Sequence, residues 1–185
     1  MKRRAILVAT TAALAPWSAF AATKEESQAQ MRQGAQEILA DLYKVQPKAR
    51  NAVESAAGYA AFKNFGMKIL VAGGGKGAGI AVNNKTKAVT YMKMAEVQAG
   101  VGFGVKKFKL VWVFENESAL NTFINSGWEL GAQATASAKM GDQGAAYQGA
   151  VAISPGVWLY QLSGNSLALE LTAKGTKYYK DPDLN

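Results

Sequence analysis

The sequence predicts an α+β fold, in which a pair of N-terminal helices precedes a mainly antiparallel, strongly curled or barrel-like sheet with one short helix between strands. Three observations predict it. Apolar residues recur at helical spacing near the N-terminus, and the period changes to strand-like alternation after Gly58. The strands then follow each other with short connections and almost no helix between them, which is typical of an antiparallel sheet.

The first predicted helix covers Thr23–Val45. Its apolar positions are spaced three and four residues apart, at Met31, Ala35, Ile38, Leu42 and Val45. The polar face mixes acids and bases, so it lacks the cationic excess of a membrane-surface helix, and this favours packing against the core. Pro47 opens a second short helix that runs through Ala57, and Gly58 is predicted to take its left-handed C-terminal cap.

Alternating apolar residues predict the strands Ile69–Ala72, Gly79–Val82, Ala88–Met92, Val97–Val105, Leu110–Phe114, Leu130–Ala138, Ala150–Ile153, Val157–Leu162 and Leu167–Leu171. Turns are predicted at Asn83–Asn84, Lys106–Lys107 and Gly164–Asn165. The short helix lies between Asn116 and Ser126, with Asn116 or Ser118 as its cap and Gly127 just past its end.

The N-terminal segment, residues 1–21, has the pattern of a cleaved signal peptide. Three cations, Lys2, Arg3 and Arg4, precede an apolar run that is too short to cross a membrane. Ala19 and Ala21 occupy the small-residue positions of a cleavage site before Ala22. We therefore expect an exported, periplasmic protein, either free or at the membrane periphery, with residues 22–185 forming a single domain.

The absence of His and Cys excludes most familiar catalytic and metal sites. There can be no disulfide, thiolate nucleophile, imidazole base or common zinc site. A hydrolase would need two carboxylates, and the nearest candidates, Glu115 and Glu117, stand where a helix begins, which favours a capping or dipole role. We expect no enzymatic activity, no cofactor and no metal.

Positive charge is concentrated in one stretch. Between Lys63 and Lys109 there are nine lysines and one acid, Glu96. Such a field attracts anionic surfaces or ligands, although lysines at strand edges also prevent edge-to-edge aggregation, and both interpretations stay open here. Nucleic acid is not an expected partner, because Arg32 and Arg50 are the only arginines beyond the signal peptide.

Glycines alternate in two segments of the chain, and a period of two leaves one face of each segment without side chains. They are Gly73, Gly75, Gly77 and Gly79 in the first segment and Gly100, Gly102 and Gly104 in the second. This pattern indicates close backbone approach, sharp coiling or a ligand against the sheet. Nucleotide binding is not expected, because Gly77 follows Lys76 where a phosphate-binding loop has Ser or Thr, and no helix follows.

Several spaced blocks of the chain resemble the SYLF domain family in order and spacing. They are Gly58–Gly66, Gly73–Gly79, Val97–Gly104, Leu110–Phe114 with the helix to Phe123, Leu130–Ala132 and Tyr178–Tyr179. The resemblance covers about Ala22 to Asp181. It implies a non-enzymatic lipid-binding domain, since eukaryotic relatives bind phosphoinositide membranes and bacterial relatives are exported or membrane-associated. Met67–Lys68–Ile69 departs from the glycine turn common in that family.

These observations lead to two functional hypotheses. In the first, anionic phospholipid headgroups bind to a lysine-rich sheet surface with exposed aromatic residues beside it. Its predicted residues are Lys63, Lys68, Lys76, Lys106, Lys107, Phe62 and Phe65. In the alternative, the chain is a protein-interaction or structural module of the periplasm that binds an envelope protein and no lipid.

Overall fold

The structure, a computed structural model, describes residues 22–69, 72–99, 104–130, 147–164, 166–167 and 175–185. These residues form three helices, α1 (Lys24–Val45), α2 (Ala49–Ser55) and α3 (Glu117–Asn125). They also form nine strands: β1 (Gly58–Ile69), β2 (Ala72–Asn83), β3 (Val89–Ala99), β4 (Gly104–Phe114), β5 (Trp128–Leu130), β6 (Val151–Ser154), β7 (Val157–Ser163), β8 (Ser166–Leu167) and β9 (Thr176–Lys180). The predicted signal peptide, 1–21, lies outside the described residues.

The strands form one antiparallel sheet that curls into a half-barrel. Their order is β5-β9-β3-β2-β1-β4-β7-β6, and β8 pairs with β7. The four long strands β1 to β4 make up its centre, where β1 pairs with both β2 and β4 over nearly its whole length. With α1 and α2 before the sheet and α3 between strands, this architecture confirms the predicted α+β fold.

Helix α1 begins with a capping box. The Thr23 hydroxyl accepts a hydrogen bond from the backbone N–H of Glu26 (3.1 Å), and the Glu26 carboxylate accepts one from the N–H of Thr23 (2.9 Å). Ala35, Ile38 and Leu42 are buried against the sheet. The predicted helix is therefore confirmed, as is its core-packing face except at Val45, which is exposed.

The two faces of the sheet carry separate cores, because successive side chains of a strand point to opposite sides. One face, called here the α1 face, packs Ala61, Ile80, Val111 and Tyr160 against α1 and α2. The other, the α3 face, is rich in aromatic residues and packs Phe62, Trp112, Phe114 and Tyr178 around Phe123 of α3.

The predicted strand boundaries were wrong in the glycine- and lysine-rich part of the chain. The predicted strand Val97–Val105 contains the end of β3 and the start of β4, and Ile69–Ala72 contains the end of β1 and the start of β2. Lys106–Lys107, predicted as a turn, lies inside β4. Strand ends made of glycine and lysine have no apolar alternation, so pairing with the neighbouring strands sets their extent. The predicted strands Leu130–Ala138 and Leu167–Leu171 extend outside the described residues.

Gly58 begins β1 and does not adopt the left-handed conformation predicted for it. Because Gly58 has no side chain, β2 and α3 can lie close to it. A Cβ there would lie 2.4 Å from the Val82 carbonyl oxygen and 2.7 Å from Leu120 Cδ2. The prediction for α3 is confirmed. The Asn116 side chain caps the helix by accepting from Ala119 N–H, and Gly127 follows its end with φ +70°.

Candidate functional site

Phe62 is fully buried, so its prediction as an exposed lipid-contacting residue was wrong. It lies on the α3 face, with its ring centroid 5.0 Å from that of Tyr178 and 6.2 Å from that of Phe123. The physical reason is the strand period. Phe62 has the same parity as the core residue Ala60, whereas Lys63 points to the other side.

The alternating glycines of β2 share a face with the core residue Ala81. At Gly79 the missing side chain lets the Phe62 ring of β1 lie close to the β2 backbone. Gly79 pairs with Phe62, and a Cβ added at Gly79 would lie 2.7 Å from Phe62 Cδ1 and 2.0 Å from the Ala61 carbonyl oxygen. Gly73, Gly75 and Gly77 continue the same strand. Gly104 begins β4, whereas Gly100 and Gly102 lie outside the described residues.

The register divides the five predicted lysines between two faces, so the prediction of one shared surface was wrong. Lys63, Lys76 and Lys107 occupy positions of the α1 face. Lys68 and Lys106 occupy positions of the opposite parity, paired with glycines of neighbouring strands. The reason is that Lys68 is an odd number of residues from Lys63, and Lys106 is adjacent to Lys107.

Three lysines of the α1 face form ion pairs, and they are called here the acid-paired lysines: Lys63, Lys93 and Lys109. Lys63 Nζ lies 2.7 Å from Glu37 Oε2, and Lys109 binds Asp41, so two acids of α1 neutralise two sheet lysines. Lys93 binds two acids of the C-terminal segment, Asp181 (2.8 Å) and Asp183 (2.9 Å). Since Lys63 and Lys109 pair directly across β1 and β4, the helix acids also relieve their mutual repulsion.

These ion pairs shift pKa values. Hydrogen bonding to Lys63 lowers the pKa of Glu37, and hydrogen bonding to Lys109 lowers that of Asp41. The hydrogen bond that Lys93 donates to Asp181, with a second to Asp183, raises the pKa of Lys93. Glu37 and Asp41 therefore stay ionised near neutral pH, and with their acidic partners the acid-paired lysines present little net positive charge.

Two further lysines of the α1 face, Lys76 and Lys107, are called here the hairpin-end lysines. They lie nearer than the acid-paired lysines to the end of the sheet at which β2 and β4 begin. Phe65 of β1 pairs with Lys76 on one side and with Lys107 on the other. Both side chains are exposed. Within the described residues neither has an acidic partner, so positive charge on this face is uncompensated at the hairpin end.

A groove of about 280 Å³ runs between α1, the β1–β2 pair and the C-terminal segment. It exists because α1 and the strands carry very small residues where they face each other, namely Gly34 on the helix and Ala61 and Ala78 on the sheet. The remaining lining residues are Ser27, Gln30, Met31, Ala35, Ile38, Lys63, Gly79 and Leu184. The groove is thus mainly apolar, with the Lys63 ammonium as its charged group.

The acidic partners of the acid-paired lysines were not predicted from the sequence. A signal was present, because Glu37 and Asp41 are four residues apart and so lie on one side of α1. Their partners Lys63 and Lys109 are 46 residues apart, and only the register brings them together. A structural role was predicted for Glu115 at the helix entry, and its partner is a distant side chain: the carboxylate accepts a hydrogen bond from Trp158 Nε1 (3.0 Å).

In the part of the chain that the structure describes, acidic side chains form no group of three or more suited to holding a metal ion. None of the described helices has the length and hydropathy needed to cross a membrane.

Comparison with known proteins shows a relative of known name. The chain is similar to Beta cell expansion factor A of Aeromonas veronii. The two are 32% identical over 164 residues, which make up 88% of this chain. This chain spans 60% of the length of that relative. No family model matches the chain.

Proposed function

We propose that the protein is a non-enzymatic, SYLF-like lipid-binding domain that binds anionic phospholipid headgroups through the hairpin-end lysines. The observation that carries the proposal is the charge of Lys76 and Lys107, two exposed cations on one face of the sheet that have no acidic partner among the described residues. The resemblance of the spaced sequence blocks to the SYLF family supports the same ligand class.

The arrangement has the chemistry that an anionic bilayer attracts. A lysine near such a surface contributes about 1 kcal/mol, so the two hairpin-end lysines supply about 2 kcal/mol. Lys63 is half exposed and Lys109 about one-third exposed, so both extend the same surface, although α1 acids reduce their contribution. Weak, reversible and salt-dependent binding is therefore the expected behaviour.

The proposal includes export and the absence of catalysis. The pattern of residues 1–21 supports periplasmic localisation after cleavage before Ala22, at the membrane periphery. Glu115 accepts a hydrogen bond from Trp158. Glu117 lies in the first turn of α3, where its negative charge interacts favourably with the positive end of the helix dipole. Structural roles for both carboxylates support a binding function over hydrolysis.

Sedimentation with lipid vesicles tests the proposal. The purified protein is mixed with phosphatidylglycerol vesicles at about 0.1 M salt, where exposed charges further apart than about 10 Å are screened. We expect wild type to pellet with these vesicles and not with phosphatidylcholine vesicles. The variant K76E/K107E should lose binding. The control K85E/K87E makes the same four-unit charge change at the exposed β2–β3 turn and should retain it.

Two results would overturn the proposal. Equal loss of binding in K76E/K107E and K85E/K87E would show that net charge, and not the hairpin-end surface, governs the interaction. A wild-type protein that stays in the supernatant with phosphatidylglycerol would favour the alternative function, a periplasmic module that binds an envelope protein.

A further inference from the structure

We infer that the groove beneath α1 binds one acyl chain that carries an anionic head, such as a fatty-acid carboxylate or a lipid phosphate. This inference rests on the proposed lipid-binding function and goes beyond it, because it assigns a site to the hydrocarbon part of the ligand. The site is distinct from the hairpin-end lysines, none of which lines the groove.

The walls of the groove match a hydrocarbon chain. Met31, Ile38 and Leu184 contribute apolar side chains from the helix and the C-terminal segment, and Ala61 forms part of the floor. A Cβ placed on Gly34 would contact, within 4 Å, only the end of the Lys63 side chain, at 3.4 to 3.9 Å. A side chain at position 34 would therefore enter the groove against the flexible end of Lys63. Its volume of about 280 Å³ lies near the lower end of the range for ligand sites, about 300–1,000 Å³, which suits one chain and not two.

The Lys63 ammonium group in the groove determines which ligand head group is favoured. Lys63 Nζ donates one hydrogen bond to Glu37 and retains two further donors, because an ammonium group has three. Half of the Lys63 side chain is exposed, so these donors are accessible to a carboxylate or phosphate oxygen. Ser27 and Gln30 add neutral polar atoms to the same groove. An anionic head is thus favoured over a cationic one.

Isothermal titration calorimetry with dodecanoate, below its critical micelle concentration, tests the site directly. We expect dodecanoate to bind to wild type saturably. Dodecylamine, which has the same chain and the opposite charge, should not bind. Gly34→Leu places a side chain in the groove. Because displacing about two methylenes of ligand costs about tenfold in affinity, this variant should bind dodecanoate at least about tenfold more weakly.

The chain offers matched controls. Leucine is a better helix former than glycine, so Gly34→Leu should melt at the wild-type temperature or above. Ala40→Leu adds the same side chain at an exposed position of α1 and should bind dodecanoate like wild type. Lys63→Gln removes the charged group without filling the groove and should also weaken binding, whereas Glu37→Gln should preserve it. These two variants keep the test decisive if Gly34→Leu fails to fold.

The results separate this inference from the proposed function. Absence of dodecanoate binding by wild type, or wild-type affinity in a folded Gly34→Leu, would overturn the groove site even if K76E/K107E loses vesicle binding. Dodecanoate binding that Gly34→Leu removes would support it even if vesicles do not bind. Loss of vesicle binding in Gly34→Leu would identify a bilayer lipid as the source of the chain, and retention would identify a free fatty acid.

Discussion

Phe62 and Gly79 are paired residues of β1 and β2, and the ring of Phe62 occupies the space that a side chain at position 79 would need. This contact places the largest side chain of the β1 core segment directly against a bare stretch of backbone. It explains why glycine stands at that point of β2, although glycine weakens a strand. A functional interpretation of Phe62 as a membrane contact is incompatible with it.

Gly79→Ala should destabilise the protein. The added Cβ would lie 2.0 Å from the Ala61 carbonyl oxygen, so backbone must move, and such overpacking costs about 1–3 kcal/mol. Gly74→Ala is the matched control on the same strand, because its Cβ meets only the Glu96 carbonyl oxygen at 3.5 Å. Urea denaturation of both variants measures the difference. Equal stability of the two variants would show that β1 and β2 can move apart at Phe62 without a cost in the free energy of unfolding.

Removing the α1 acids should strengthen binding to anionic vesicles. In E37Q/D41N, Lys63 and Lys109 lose the carboxylates that neutralise them, and two adjacent cations join the hairpin-end lysines. Since exposed ion pairs contribute about 0–1 kcal/mol each, the free energy of unfolding should change little.

The control for that experiment is E25Q/E54Q, which makes the same change in net charge at exposed positions of α1 and α2. Sedimentation with phosphatidylglycerol vesicles at several salt concentrations compares the two variants. If both increase binding equally, the acids on α1 do not regulate the lysine surface specifically.

The protein should lose stability as the pH rises above about 10. Burial raises the pKa of Tyr43, Tyr147 and Tyr160 to about 12 each, and also raises those of Tyr59 and Tyr178. An unfolded tyrosine ionises near pH 10. The neutral hydroxyl is thus favoured in the folded state, so this stability is fully present below about pH 10 and is lost between about 10 and 12.

Phenolate absorbance and denaturant melts at pH 8 and pH 11 test this expectation. Tyr160→Phe is the informative variant, because the Tyr160 hydroxyl is buried without a hydrogen-bond partner in the described structure. It should match wild type at pH 8 and lose less stability at pH 11, by on the order of 1 kcal/mol. An identical loss in the two proteins would show that Tyr160 ionises without unfolding.

Export should yield a mature N-terminus at Ala22, because Ala19 and Ala21 fit the small-residue positions of the cleavage site. N-terminal sequencing of protein from the periplasm of a Gram-negative host measures this. Ala21→Arg should block processing and leave the precursor. Mature protein that retains Met1 would contradict the prediction.

The helices were predictable because their signals are local. The apolar spacing of α1, the Thr23–Glu26 capping box and the Asn116 cap of α3 each involve residues within a few positions of each other. The class of the sheet was predictable for the same reason, since short connections between alternating segments favour antiparallel pairing. Strand boundaries were less predictable, because glycine has no side chain whose alternation can be counted.

The candidate site was only partly predictable. The sequence by itself determined that the sheet region is rich in lysine and that the chain has no His or Cys, and so directed attention to anionic ligands. Tertiary structure alone decided that Lys106 of β4 takes the opposite parity from Lys63 of β1 and that α1 acids neutralise two sheet lysines. The physical reason is range: helical period and caps depend on neighbours along the chain, whereas strand register brings together residues such as Lys63 and Lys109 that are far apart in it.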